Sequence, residues 1–93
     1  MITAIVLIKV ESNRIPEVAQ NIANLTGVSE VYSVTGEIDL IAIVRVPEYE
    51  GLEAVVSRAF NQTEGVLSTF THLAFRAYSA DDLGAAFSLG SDH

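Results

Sequence analysis

The residues best suited to binding a small molecule, Gly36 and Asp39, lie in a short turn between two apolar stretches. Glycine adopts positive φ without steric penalty, so Gly36 can form a tight turn and leave backbone N–H groups open to a ligand. Asp39 begins an aliphatic stretch, where an unpaired carboxylate is costly. We therefore expect Asp39 either to bond backbone N–H groups of its own hairpin or to face a ligand ammonium group.

Hydroxyl side chains form a second set of candidates. Thr69 and Thr71 share one face of the last predicted strand and can present hydroxyl groups to a carboxylate, although threonine is also simply a good strand former. Ser57, together with Asn61 and Gln62, lies toward the end of a predicted helix. These three residues can complete such a pocket from a neighbouring subunit, or form an ordinary solvated helix end.

The sequence does not favour catalysis or metal binding. His72 has no second His, Cys or spaced carboxylate pair to accompany it, so we interpret it as a surface or interface residue. The chain has no cysteine, which excludes disulfides, thiolate metal sites and a cysteine nucleophile. Neither a phosphate-binding glycine loop nor a Ser/His/Asp arrangement is found. We expect no metal, no cofactor and no catalytic residue.

The elements that must position these residues follow the order βαββαβ. Apolar patterning predicts strands over residues 2–10, 28–35, 38–46 and 66–77, and helices over 13–25 and 48–61. Ser12 or Asn13 is expected to cap the first helix, and Pro16 suits its first turn. Right-handed crossovers close this chain into a ferredoxin-like α+β fold, with two helices on one face of a four-stranded antiparallel sheet.

The sheet face opposite the helices is also predicted to be apolar. It would carry Ile5 and Leu7 from the first strand, and Ile41 and Ile43 from the third. Hydrophobic residues make up 49% of the chain and charged residues 18%, an unusually apolar composition for so small a soluble protein. Because burying each aliphatic side chain is worth roughly 1.5–3 kcal/mol, we predict that two copies pack sheet to sheet as a dimeric α/β barrel.

Chain length limits the number of domains, and net charge limits the classes of partner that the protein can bind. The 93 residues fit one domain, which we assign to residues 1–78, and the tail at 79–93 is expected to form a short helix or to fray. The net charge of −7 and the five scattered basic residues disfavour direct nucleic-acid binding. The sequence contains neither an apolar run of about 18 residues nor a signal-peptide pattern, so we expect no membrane span and a cytoplasmic protein.

The hairpin VSEVYSVTGEIDLIAIVRV, residues 28–46, resembles the central signature of the effector-binding half of Lrp/AsnC (feast/famine) regulators. That signature is a valine-rich strand, a Val-x-Gly-x-(Tyr)-Asp segment and an aliphatic strand. The flanks agree, because a helix lies on each side and Gly65-Val66 is followed by Thr69 and Thr71. The resemblance spans about residues 1–77. It departs at Ile38, a position that is often aromatic in the family.

The resemblance implies a module that dimerises through its sheets, forms octamer or decamer rings of dimers, and binds amino acids or similar small molecules between dimers. The resemblance implies a ligand-binding role for Asp39, Thr69 and Thr71, and with the candidates considered above the predicted ligand-binding residues are Gly36, Glu37, Asp39, Ser57, Thr69 and Thr71. Full-length members carry a helix-turn-helix ahead of this module, whereas this chain begins at the first strand. We therefore expect a stand-alone sensing module that does not read DNA itself and that can exchange subunits with full-length Lrp/AsnC regulators.

Two alternative functions stay open at this point. A small dimeric α/β-barrel enzyme, such as a cofactor-independent monooxygenase, shares the fold and the sheet dimer. It would need acid and base groups on the sheet face, for which His72 and Asp39 are the candidates. An amino-acid-binding ACT domain shares the element order, but it favours a glycine at the end of the first strand, where this chain has Glu11, Ser12 and Asn13.

Overall fold

The computed structural model describes residues 1–78 and residue 80. The described strands are β1 at Ile2–Val10, β2 at Val28–Ser33, β3 at Leu40–Val46 and β4 at Val66–Leu73. A 3₁₀ turn at Ser12–Arg14 leads into helix α1 at Ile15–Ala23. Helix α2 begins at Tyr49–Glu53 and continues as a π-helix at Ala54–Phe60. This order confirms the predicted βαββαβ arrangement.

The four strands form one antiparallel sheet in the order β2-β3-β1-β4, so β2 and β4 are its edges. The register aligns Ile2 with Val46 and Ile8 with Leu40 between the two central strands. Both helices pack on the same face of this sheet, which is the predicted ferredoxin-like fold.

The hydrophobic core lies between that face and the helices, because side chains alternate between the two faces of a strand. The buried residues are Ala4, Val6, Ile8 and Val10 of β1, Leu40, Ala42, Val44 and Val46 of β3, and Val18, Ile22, Val55 and Phe60 of the helices. The strand side chains on the other side form what we term the open face. They are Thr3, Ile5, Leu7, Lys9, Glu30, Tyr32, Ile41, Ile43, Arg45, Ser68, Phe70 and His72.

A β-bulge in β2 decides which of its residues reach the core. Val28 pairs with Val44 and Glu30 pairs with Ile43, so the register shifts by one residue between them. A bulge adds one residue to a strand and resets its alternation. Val28 and Val31 therefore both face the helices, although they are three residues apart, and Glu30 lies on the open face.

Several boundaries differ from those that the sequence predicted. The first helix begins at Ile15, after a 3₁₀ turn, and the predicted capping by Ser12 or Asn13 is wrong: within the described residues, its N-cap is Arg14 and no side chain caps it. Pro16 lies in the first turn, as expected. The π-helical half of the second helix was not predicted, because the same apolar spacing fits an α-helix.

The strands on either side of the 36–37 turn, and the last strand, are shorter than predicted. Residues 34–39 form an irregular connection, in which the N–H of Val34 donates to the carbonyl of Asp39 at 3.1 Å and the N–H of Asp39 donates to the carbonyl of Ile8 at 3.0 Å. Strand β4 ends at Leu73, and the Ala74 N–H then donates to the Thr3 carbonyl at 2.9 Å. All of the predicted tail except residue 80 lies outside the described residues.

Candidate ligand-binding site

The connection at residues 34–39 carries three of the six predicted ligand-binding residues. Gly36 has a φ of +108°, so the expected need for glycine at this turn is met. A Cβ added there would meet none of the described atoms within 4 Å. Lys9 donates from Nζ to the carbonyl oxygen of Glu37 at 2.7 Å. The connection is thus open to solvent at its tip and held against β1 at its base.

Asp39 bonds the backbone of the first strand. Its Oδ2 accepts a hydrogen bond from the N–H of Val10 at 2.9 Å, and its own N–H donates to the carbonyl of Ile8 at 3.0 Å. The carboxylate therefore bonds a backbone N–H group, as one of the two sequence-based interpretations held, but that group belongs to β1 rather than to its own hairpin. A carboxylate has about four lone-pair positions, so capacity for a ligand ammonium group remains.

Two open grooves border the edge strand β4. The first, of about 630 Å³, lies on the open face beside the 34–39 connection and is lined by Leu7, Lys9, Glu37, Ile38, Phe70, Thr71 and His72. It combines an ammonium group and an imidazole with apolar side chains. Such a mixture suits a small molecule that has a charged group and an apolar part.

The second groove, of about 470 Å³, lies between the second helix and β4. It is lined by Tyr49, Leu52, Glu53, Val56, Ser57 and Thr71. Ser57 and Thr71 offer hydroxyl groups that can donate to a carboxylate, and Glu53 offers a carboxylate that can accept from an ammonium group. This groove therefore offers hydrogen-bond donors for an anionic group and an acceptor for a cationic group.

One chain brings the six predicted residues together only in part. Thr71 borders both grooves, with Glu37 in the first and Ser57 in the second. Thr69 pairs with Ile8 and faces the helix side, while Gly36 and Asp39 lie in the connection without lining either groove. The six residues therefore do not line one common groove in the described chain.

Six of the lining residues were not among the sequence-based candidates: Lys9, Tyr49, Leu52, Glu53, Val56 and Phe70. The positions of Lys9 and Phe70 beside the first groove depend on strand register, since Leu7 aligns with Phe70 and Lys9 aligns with Ser68. Tyr49 and Glu53 belong to the α-helical first part of the second helix, Tyr49–Glu53, which lies beside β4 only in the folded chain. Strand register was the missing information, because no local pattern in β1 or β4 states which residues stand opposite each other.

The described residues contain neither a cluster of metal-binding side chains nor a helix suited to span a membrane. Across residues 1–78 and 80, His, Cys, Asp and Glu side chains form no group of three or more that could hold a metal ion. None of the helices in this part of the chain is long and apolar enough to cross a membrane.

A ferredoxin-like fold hosts many functions, so it is the two grooves along β4, and not the fold, that indicate a ligand-binding module. Residues 3–83 match the family model described as the Lrp/AsnC ligand binding domain, which is most of the chain. The chain therefore belongs to the Lrp/AsnC ligand-binding domain family and is a sensing module related to these transcription regulators. The alternative of a small barrel enzyme is not supported.

Individual relatives agree with this assignment. An uncharacterized HTH-type transcriptional regulator of Pyrococcus furiosus is 35% identical over 80 residues, covering 86% of this chain and 53% of the regulator. The chain thus spans about half the length of the curated relatives it matches. The crystal structure of TTHA0845 from Thermus thermophilus is 51% identical, with a TM-score of 0.80, and the likeness covers 85% of this chain and 99% of that one.

A more distant structure shares the fold. It is a transcriptional regulator of Neisseria meningitidis solved as a complex with L-Met, which is 12% identical and has a TM-score of 0.75. The likeness covers 84% of this chain and 52% of the regulator.

Proposed function

We propose that this chain is an amino-acid-sensing and oligomerisation module, without catalytic activity, that pairs sheet to sheet and assembles into octamer or decamer rings. Members of its family form oligomers and bind small-molecule effectors. The observation that carries the proposal is the apolar open face. Ile5, Leu7, Ile41, Ile43 and Phe70 lie there side by side, opposite the face that the helices cover.

The energetics of this face favour a second copy. Ile5 is 37% exposed and Phe70 is 49% exposed in the single chain. Burying each such side chain is worth roughly 1.5–3 kcal/mol, and an isologous dimer buries every one of them twice. Several aliphatic and aromatic side chains thus supply enough free energy to offset the entropy of association, which is on the order of 4–15 kcal/mol.

The chemistry around β4 supports an amino acid as the ligand. The hydroxyl groups of Ser57, Thr69 and Thr71 are suited to a ligand carboxylate, and the carboxylates of Asp39 and Glu37 to its ammonium group. Gly36 leaves the turn accessible to the ligand backbone. Because one chain divides these residues between two grooves and the 34–39 connection, we place the complete pocket between dimers. The L-Met complex of the regulator with the same fold supports this ligand class.

The proposed partners of the module are further copies of itself and full-length Lrp/AsnC regulators, rather than nucleic acid. Twelve acidic and five basic residues give the chain a net charge of −7. A surface with this charge repels phosphate backbones, so contact with DNA would have to come through a partner subunit.

Native mass spectrometry of the purified chain, alone and with each of the twenty amino acids, tests assembly and ligand uptake together. We expect octamers or decamers that take up or respond to at least one amino acid. Ser57→Ala should weaken that binding about fivefold, since a hydrogen bond contributes about 1 kcal/mol. Ser29→Ala, on the opposite edge strand, is the matched control and should bind normally. A strict dimer that ignores all twenty amino acids would refute the proposed function.

A further inference from the structure

One corner of the open face carries a polar cluster that the ligand-binding proposal does not use. The cluster consists of Glu30 and Tyr32 of β2 and Arg45 of β3. The register places Glu30 opposite Ile43 and Tyr32 opposite Ile41, so these side chains share the face with the aliphatic residues. The bulge in β2 is what directs Glu30 to this side.

The three side chains bond one another around the Glu30 carboxylate. The Tyr32 hydroxyl donates to Oε2 of Glu30, and Arg45 donates from its Nη1 to Oε1 at 3.3 Å. The hydrogen bond from Tyr32, and then the one from Arg45, lower the pKa of Glu30 below its ordinary value. The carboxylate is therefore ionised at neutral pH, and the cluster presents one negative and one positive group.

In the isolated chain this cluster adds little to stability. The Glu30 and Arg45 side chains are 42% and 46% exposed, and water screens the attraction in such exposed ion pairs. When another surface covers the open face, Arg45 loses its contact with water. A guanidinium group has five N–H donors, and each donor that no longer contacts water needs another acceptor. The bond to Glu30 uses one of these donors. A covering surface must therefore supply further acceptors opposite Arg45.

A second copy of the chain supplies such an acceptor. Among the open-face strand residues, all of which are described, Glu30 has the only carboxylate, and Arg45 and Lys9 have the only cationic groups. An isologous contact requires that one patch hold both members of each interacting pair. Glu30 and Arg45 meet this requirement within a single corner of the face.

We propose that the Glu30–Tyr32–Arg45 cluster is a self-recognition element of the sheet-to-sheet dimer, in which Arg45 of each copy contacts Glu30 of the other. The inference rests on the dimer proposed above and adds what fixes its register. Ile5, Leu7, Ile41 and Ile43 supply affinity, but aliphatic side chains of similar size can slide past one another. A charged pair that must contact the same pair of the other copy allows only one register between the two packed sheets. It also disfavours packing against the apolar sheet of an unrelated protein.

A charge-swapped double variant, Glu30→Arg with Arg45→Glu, tests the contact between copies. The swap keeps the ion pair within each chain and the net charge of the protein, and it also keeps both pairs across a dimer of swapped chains. A mixed dimer of wild-type and swapped chains, however, would bring carboxylate against carboxylate at one contact and guanidinium against guanidinium at the other. Like charges placed against each other across an interface repel, so we expect mixed dimers at least about tenfold below the statistical proportion.

The measurement is native mass spectrometry after mass-tagged wild type is mixed with the swapped chain and subunits exchange; the tag is needed because the swap leaves the mass of the chain unchanged. A mass-tagged wild-type chain mixed with untagged wild type is the control and should give the statistical proportion. If wild-type and swapped chains also mix statistically, the cluster does not face its counterpart and the inference is wrong. If wild type itself is monomeric at micromolar concentration, the proposed dimer fails, and the inference fails with it.

The two single variants provide a second test that does not need the swapped pair to fold as wild type does. Glu30→Arg leaves two positive groups in the cluster, and Arg45→Glu leaves two negative groups. Repulsion within each chain is the same in every dimer, but only the mixed dimer places opposite charges across the interface. We expect mixed dimers to exceed the statistical proportion by at least about tenfold. Statistical mixing here would equally overturn the inference.

Discussion

The carboxylate of Asp39 accepts a hydrogen bond from the backbone N–H of Val10 at 2.9 Å and thereby joins the start of β3 to the end of β1. Val10 is 3% exposed. A buried backbone N–H group without a partner costs about 1–3 kcal/mol, so this bond stabilises the end of the sheet from which the 34–39 connection projects. Asp39 thus has a structural role whether or not it also contacts a ligand.

The first prediction separates these two roles of Asp39. Asp39→Ala removes the acceptor for Val10 and should lower the free energy of unfolding by about 1–3 kcal/mol, as measured by urea denaturation. Asp39→Asn keeps an oxygen acceptor and should lose less than about 1 kcal/mol, while removing the charge available to a ligand ammonium group. If both variants are as stable as wild type, the bond to Val10 is not a significant stabilising interaction.

The second prediction compares two glycines with positive φ. An added Cβ at Gly65, where φ is +96°, would lie 2.6 Å from Cγ2 of Val18, which is fully buried. Gly65→Ala should therefore cost at least about 2 kcal/mol, from the strained backbone and from overpacking.

Gly36→Ala is the matched control, because its added Cβ would meet none of the described atoms within 4 Å. Only the backbone strain applies there, so we expect a loss of about 1 kcal/mol in the same thermal or urea unfolding experiment. Equal losses at the two positions would show that the contact between Gly65 and Val18 is not tight.

The fold was predictable because the strong patterns are local. In β1 the alternation of Ile2, Ala4, Val6, Ile8 and Val10 assigned the core face correctly, and the sequence also identified the second apolar face. The bulge in β2 was not predictable in this way. Strict alternation from Val28 would have placed Glu30 in the core, and the insertion that prevents this becomes visible only once β3 supplies the register.

The candidate site shows the same limit. Sequence reasoning found that Asp39 needed a partner, but Val10 lies 29 positions away along the chain and its N–H group was not identifiable beforehand. Glu30 and Arg45 are likewise 15 positions apart and meet only through strand pairing. Local patterns thus indicate which side chains need partners, whereas tertiary register decides which partners they obtain.

The third prediction tests the open face with two neighbouring residues of β1. Ile5 is 37% exposed on the open face, whereas Val6 is fully buried in the core. Ile5→Ser should weaken dimerisation at least about tenfold, measured by sedimentation equilibrium, because an aliphatic contact worth roughly 1.5–3 kcal/mol is lost from each copy. The circular dichroism spectrum of the monomer should stay native.

Val6→Ser is the contrasting variant. It leaves a cavity and a buried hydroxyl group in the core, so it should lower the free energy of unfolding by about 2–4 kcal/mol. If Ile5→Ser changes neither the dimerisation constant nor the mass of the assembly, the open face is not the dimer surface.

The fourth prediction concerns the pH dependence of the Glu30–Tyr32 pair. The hydrogen bond to Glu30 raises the pKa of Tyr32 above its ordinary value of 10.0, and the same bond lowers the pKa of Glu30 below 4.5. The stabilisation linked to Glu30 is present above about pH 4.5 and is lost as the pH falls through the lowered pKa. That linked to Tyr32 is present below about pH 10 and is lost as the pH rises through the raised pKa.

Titration of the Tyr32 ring resonances by NMR checks this coupling directly. Wild type should give a midpoint above 10, and Glu30→Gln should return the midpoint toward 10, because the neutral amide no longer stabilises the protonated phenol. Glu17→Gln, which removes a carboxylate bonded to Arg14 on the helix side, is the control and should leave the Tyr32 titration unchanged. A Tyr32 midpoint that does not respond to Glu30→Gln would mean that the two side chains do not bond each other in solution. The Tyr32 hydroxyl would then not belong to the proposed self-recognition element, and the Glu30–Arg45 pair alone would set the register of the dimer.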